Sequence, residues 1–485
     1  SSLTAVTAGK ILGVAVNVDD NQVQFYLDGS TVGTAEQLVS TTEPNFAFYV
    51  GATNRGVVFN FGQDSTFTDS SLSAGGNADA NGIGDFAYAP PANHLALCAS
   101  NLPEPAIGSN IDANSTGTRS DEHFNTVLYT GNATARSITG VGFQADLLWF
   151  KNRPNTQHNN LIDSVRGSDK LLYSNLTNSE ATTSIHLTSF DSDGFSIGTA
   201  TSLNGNNNGI VTWCWKGGGN ANTFNIDGTG YSTASDASLS GGDITPSGAS
   251  INTKAGFGII AYTGIGGSNA SGYTIKHGLS SPPELIFIKD RDTNSNNNQW
   301  QASSSVVGDD YAYLSTTAQF TGAALMKPNS GDNTLLNIGI AGTAGARNTT
   351  NESGDDFIMY CFHSVDGFCK VGTYTGNATA YPSGVFVFTG FRPALVVVKA
   401  TGTTSHWVVT DNKRASDYNG DTARQYWSNN VAETAYNSAR NVELFSNGFM
   451  VHGASASDLS NKINQSTGYV YLAYAEAPFK YANAR

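Results

Sequence analysis

The sequence is short of charge, methionine, cysteine and long apolar runs. Charged residues make up 13% of the 485, about half the usual ~25%, which excludes the Glu/Lys/Leu-rich make-up of coiled coils and helical repeats. Three Met and four Cys, with no C-x-x-C pair, give neither a disulfide scaffold nor a zinc ribbon. No apolar stretch approaches the ~18 residues of a membrane-spanning helix. Acids outnumber bases 39 to 25, a net −14, which argues against a nucleic-acid partner. No H-E-x-x-H, G-x-S-x-G or G-x-x-x-x-G-K pattern occurs. Position 1 is Ser and no signal-peptide pattern follows, so the chain reads as processed, trimmed or a fragment.

What is present is turn and strand chemistry. Gly numbers 53, and Ser, Thr and Asn supply most of the polarity. Apolar residues at 39%, with 11% aromatic, suffice for several cores, so disorder is excluded. Val14, Val16 and Val18, then Val23, Phe25 and Leu27, alternate like strands around Asp19-Asp20-Asn21 and Asp28-Gly29 turns. Further strands are expected around Asn54-Arg55-Gly56.

From about residue 121 the chain repeats itself. Tyr-Thr-Gly opens three segments, at Tyr129, Tyr262 and Tyr374. Each reaches an apolar run closed by lysine: Leu147 to Lys151, Leu285 to Lys289, Leu395 to Lys399. Such short continuous runs read as strands buried on both faces. Copies 1 and 3 share an Asp-x-x-Arg, Asp163/Arg166 and Asp411/Arg414, and a Gly-Phe turn at Gly194 and Gly448; copy 2 lacks the pair and is the divergent member. The expected fold class is all-β, as tandem β-sandwich modules (jelly-roll or concanavalin-like). The expected organisation is a partial sandwich at 1–68, a linker and Pro-rich connector at 69–120, repeat 1 at 121–217, a Gly/Ser/Thr linker at 218–252, repeat 2 at 253–366 and repeat 3 at 367–485.

Candidate sites follow from residue type. Recurrence of Asp163/Arg166 and Asp411/Arg414 in two copies points to structural ion pairs, since a fold needs its brace in each copy. Lys151 and Lys399 read as strand-end lysines that snorkel to water. Trp300, Trp407 and Trp427 sit among Asn, Gln, Thr and Ser, the setting in which an exposed ring stacks on a sugar while amides read its hydroxyls; they are the candidate glycan-binding residues. Cys214 and Cys361 occupy matching places and read as small core residues, while Cys361 and Cys369 flank a turn across which they could pair. Paired acids at Asp309-Asp310 and Asp355-Asp356 read as solvated turns. No catalytic residue, metal site or cofactor is expected.

Taken together, GFQADLLWFKNR at 142–153, DSVRG at 163–167, SDGF at 192–195, WCWK at 213–216, FHSVDGFCKVGTYTGNATA at 362–380, GFRPALVVVK at 390–399 and AYAEAPFKYANAR at 473–485 resemble uncharacterised domains of phage and prophage structural proteins, often tail or tail-fibre proteins. The opening strands resemble the later half of a SPRY-like or concanavalin-type sandwich, with the remainder upstream or supplied by a neighbouring chain. The resemblance implies a virion location, contacts with other virion proteins and with copies of itself as a homotrimer, and a tail-fibre or adhesin role on host-surface polysaccharide. The alternatives are a capsid decoration or cement protein, a tailspike-like depolymerase and a bacterial surface lectin.

Overall fold

A computed structural model of the chain describes residues 9–17, 19–37, 58–67, 74–102, 105, 107, 119–267, 271–292, 299–308, 310–322, 325–340, 349–379, 383–414, 423–433, 442–453 and 463–478. The turn at Asn54–Gly56 and Asp309 lie outside them. The chain divides into two units, Ser1–Glu104 and Pro105–Arg485.

In the first unit, Leu12–Asn17, Gln22–Leu27 and Ser30–Gln37 form a three-stranded antiparallel meander. The Asp28-Gly29 turn has positive φ at both residues, 46° and 77°, the twist a tight hairpin requires. Among the described residues of this unit the buried apolar side chains are Ala15 and Ala96, while Leu12, Val14, Phe59 and Phe61 face solvent. The Ser/Gly/Asn stretch expected to be a flexible linker is, over 74–84, an ordered set of turns. Asp79 accepts hydrogen bonds from the backbone N–H of Asn81, Ile83 and Ala96 and from Asn101, and these outweigh its desolvation to hold it down at about 2.

In the second unit the three copies share one topology. Each has a main antiparallel sheet in which an opening strand pairs with the closing strand, the closing strand with the central apolar strand, and that with a fourth and then a fifth strand. The opening strands are Phe124–Thr130, Phe257–Thr263 and Cys369–Thr375; the closing strands Gly209–Trp215, Asp356–Phe362 and Gly468–Pro478. Leu147–Asn152, Leu285–Asp290 and Phe391–Ala400 are the central strands. The fourth strands are Asn160–Asp163, Gln301–Ser304 and Val408–Asp411, and the fifth Lys170–Tyr173, Tyr311–Tyr313 and Gln425–Tyr426. A small three-stranded sheet accompanies each main sheet, so the chain is all-β and sandwich-like.

The central strands show why the apolar runs are continuous. Leu148 and Phe150 point into the first copy's own sandwich with Ile138, Phe195 and Ile197, and Ile286 and Ile288 do the same in the second. The alternate residues, Leu147, Trp149, Leu285 and Phe287, point the other way into a core shared by all three copies. A strand covered on both faces has no polar side to show.

That shared core joins the tandem sandwiches: 105–485 is one unit because each main sheet is a wall of the same interior. The structure corrects the linker expected at 218–252. Phe224–Ile226, Thr229–Tyr231 and Gly248–Asn252 extend the second copy's sheet beyond its opening strand, and Phe224, Leu239, Ile244 and Ile251 fill that copy's core. The segment's Gly and Ser content masks a sparse set of buried apolar residues.

Candidate functional site

The recurring motifs are built into the fold. Each Tyr of Tyr-Thr-Gly donates its hydroxyl to a backbone carbonyl: Tyr129 to Leu203 (2.8 Å), Tyr262 to Thr350 (2.7 Å) and Tyr374 to Ile463 (2.5 Å). The next residue in each case is a buried Asn, 204, 351 or 464, whose Oδ1 accepts the N–H of Asn132, Ile265 or Asn377. A Cβ on the motif's Gly131, Gly264 or Gly376 would stand 2.0–2.2 Å from a carbonyl of that Asn loop, so the clasp closes only on glycine.

Between copies the contacts run head to tail and close on themselves. Trp300 of copy 2 donates its indole N–H to Tyr173 O of copy 1 (2.8 Å), and Trp407 of copy 3 to Tyr313 O of copy 2 (3.1 Å). Asn159, at the matching place in copy 1, donates to Tyr426 O of copy 3 (3.0 Å). The closing lysines follow the same cycle: Lys289 Nζ reaches Thr177 O (3.4 Å), Lys399 Nζ Thr317 O (3.1 Å) and Lys151 Nζ Asn430 O (3.0 Å). Three equivalent heterologous contacts that return to their start are a threefold ring, here made within one chain.

This placement overturns the glycan-binding assignment of Trp300, Trp407 and Trp427. Their exposures are 0%, 2% and 0%, and a ring sealed in a core cannot stack on a sugar. Trp427 lies against Trp149, centroids 3.9 Å apart, and meets Trp213, Trp215 and Phe287 edge-on, drawing side chains of copies 1 and 2 onto copy 3. The lysines also do not snorkel. Lys151, Lys289 and Lys399 are fully buried and bond carbonyls of their own loops as well, as Lys399 does with Ser405 O (2.6 Å). Burial pushes the amines down, Lys151 and Lys289 to about 8 and Lys399 to about 7.

The two Asp/Arg pairs are buried ion pairs, and each belongs to a longer network across a copy boundary. Asp163 and Arg166 meet at 2.5 Å, and Arg166 also reaches Glu180 (3.1 Å), which is gripped bidentately by Arg291 of copy 2 (2.9 Å). Tyr360 of copy 2 donates its hydroxyl to Asp163 (2.8 Å). In copy 3, Asp411 and Arg414 meet at 2.6 Å, Arg414 reaches Glu433 (3.2 Å), and Arg153 of copy 1 grips Glu433 (2.7 and 2.9 Å). The indole of Trp213 donates to Asp411 (3.0 Å) and its face lies under Arg414. The sequence reading found the pairs but missed Glu180, Arg291, Glu433 and Arg153. A signal was present: an Arg two residues past the closing lysine in copies 1 and 2, absent from copy 3.

The boundary between copies 2 and 3 is different. Strand register places Ser304 where Asp163 and Asp411 stand, each opposite the first residue of the Leu-to-Lys run. Val307 replaces the arginine and packs on the shared core. Thr401 replaces Arg153 and Arg291, and Leu472 holds the register position of Trp213 and Tyr360.

On the outside, a cavity of about 410 Å³ is lined by Arg119, Asp121, Glu122 and Asp193, among others. Its charges are engaged internally: Arg119 pairs with Asp121 (2.7 Å), and Asp193 accepts the N–H of Gly140 (3.2 Å) and Gly142 (2.7 Å). Among the described residues, Asp290, Asp292 and Asp355 bring carboxylate oxygens within 4.8 Å of one another and could hold a cation; burial, then the charges of Asp290 and Asp292, raise Asp355 to about 6. All four cysteines are free; Cys361 and Cys369 do not pair, because they point into different cores. The outer faces of the small sheets differ between the copies. Phe386 and Phe388 of copy 3 are 37% and 47% exposed, with Phe445 edge-on to Phe386. Register puts Ser137 and Thr139 at these places in copy 1 and Thr274 and Lys276 in copy 2.

No curated protein and no solved structure matches the chain. A family model, Domain of unknown function (DUF7483), matches residues 119–478, the span that runs from the start of copy 1 to the last residue of the closing strand of copy 3. The family's unit is therefore the whole ring of three, and the chain belongs to the DUF7483 family.

Proposed function

We propose that this chain is a structural component of a phage virion, a tail-fibre-like part that works by contact and not by chemistry. The observation that carries this reading is where the repeated residues are spent. The tyrosine clasps, lysines, tryptophans and ion-pair networks all serve the interior, so the repeats are not a series of ligand sites. What remains for function is the surface that differs from copy to copy. Its most distinctive patch is the aromatic face of copy 3, the kind of exposed apolar area that marks a contact surface. The resemblance of the 142–216 and 362–399 motifs to phage structural domains supplies the setting. A fibre built from such parts gains threefold geometry from three chains; this chain makes that geometry alone, which favours a single-chain ring seated among other virion proteins.

The test is to purify particles from cells that encode the chain, with intact Phe386 and Phe388 or with Phe386→Ser and Phe388→Thr, the residues copy 1 carries. The chain is expected in particles at fixed stoichiometry, labelled at the tail by antibody, and depleted in the variant although the variant folds. Label on the shell assigns it to capsid decoration instead. Absence from particles, or release of oligosaccharide from host polysaccharide by the pure protein, overturns the reading.

A further inference from the structure

The three boundaries fall into two chemical classes, and the classes pair. Each copy offers one face that docks on the next and one that receives. The docking faces of copies 1 and 2 carry an arginine and a polar ring, Arg153 with Trp213 and Arg291 with Tyr360; that of copy 3 carries Thr401 and Leu472. The receiving faces of copies 1 and 3 carry Asp, Arg and Glu; that of copy 2 carries Ser304 and Val307. In the ring, copy 2 docks on copy 1, copy 1 on copy 3 and copy 3 on copy 2, so charged meets charged twice and apolar meets apolar once. In the opposite order, copy 1 would dock on copy 2, copy 2 on copy 3 and copy 3 on copy 1. Arg153 would then lie half-buried without an acid, and Glu180 of the buried Asp163/Arg166/Glu180 set would lose Arg291. A buried charge that loses its partner is far more costly than a boundary that never had one.

We infer that the two networks and the bare third boundary are an address code. They fix which copy receives which, so that the ring closes inside one chain in one order instead of between chains. Three copies with shared topology and strongly similar docking geometry need such a device, because every correct contact has two near-equivalent wrong ones, in the same molecule or in a neighbour. The partner recognised by each charged face is another copy of this repeat. The loss of the acceptor set from copy 2 and of the donor arginine from copy 3 is one change seen from its two sides.

The code and a simple brace make different predictions for the full chain refolded from denaturant. In one variant the first network takes the third boundary's residues where register gives them (Asp163→Ser, Arg166→Val, Arg291→Thr, Tyr360→Leu), with Glu180→Gln to remove the remaining charge. In a second, the other network is treated likewise (Asp411→Ser, Arg414→Val, Glu433→Gln, Arg153→Thr, Trp213→Leu). A third variant combines both. One remaining network still forbids the opposite order, so each single conversion should refold to monomer at native yield by light scattering. The combined variant has three alike boundaries and should lose monomer several-fold to dimers and larger swapped species, with its monomer retaining a cooperative thermal transition. Equal, additive losses of monomer in the two single conversions would overturn the code and leave a brace. So would a combined variant that refolds wholly to monomer, or one that does not fold at all, since apolar replacement of both sides of a buried pair is ordinarily tolerated.

Discussion

The boundary of copies 1 and 2 and that of copies 2 and 3 have the same backbone design and opposite chemistry. At the first, Asp163, Arg166, Glu180 and Arg291 form a continuous chain of charges under the Tyr360 hydroxyl. At the second, Ser304 and Val307 stand in the same register, and the cross-boundary polar contacts are backbone-directed: Lys399 to Thr317 O, Trp407 to Tyr313 O and the N–H of Phe320 to Thr401 O. The geometry therefore does not depend on the charges. Indole and lysine N–H groups reaching neighbouring carbonyls are enough to seat one sheet on another, and the networks are an addition to two of the three seats.

The sharpest way to break the comparison is to damage matching positions. Asp411→Asn leaves Arg414 buried beside a neutral amide and should cost about 3–5 kcal/mol. Ser304→Ala, which removes one hydroxyl donor to Glu284 O, should cost about 1 kcal/mol; denaturant unfolding of both variants checks the ratio.

A smaller effect comes from the lysines, present at every boundary. Lys399 is held at about 7 by burial against an ordinary 10.5. The unfolded chain thus binds more protons than the folded one above pH 7, and stability rises with pH there. Below pH 7 both states carry the charge and the contribution is flat at its least favourable. The thermal midpoint should climb from pH 7 to 8.5, and Lys399→Met should climb less. An identical climb in the variant would show that the amine stays charged throughout.

Much of the fold could be read from residue order. The Leu-to-Lys runs announced strands covered on both faces, and Cys214 and Cys361 announced a small residue facing the sandwich. The Asp/Arg recurrence announced a brace, though only its local half. The tryptophans misled because their amide neighbours suggested solvent. Asn159, the copy 1 counterpart of Trp300 and Trp407, instead spends its amide on Tyr426 O and Asn429 O inside the boundary. The ring itself was not legible, since its contacts join residues such as Trp213 and Asp411, or Arg153 and Glu433, that no local pattern connects. The one trace of it was a pair of absences, Asp/Arg from copy 2 and the post-lysine Arg from copy 3, which make sense only when the two copies face each other.

The measurement that bears most directly on a ring closed within one chain is a double-mutant cycle on Arg153 and Glu433, which belong to the first and last copies and meet bidentately. With Arg153→Met, Glu433→Gln and the double variant, a closed ring gives a coupling of about 0.5–3 kcal/mol, the range for residues that share one ion-pair network. Costs that add within about 0.5 kcal/mol would mean that the two residues do not meet, and that copy 1 is not seated on copy 3.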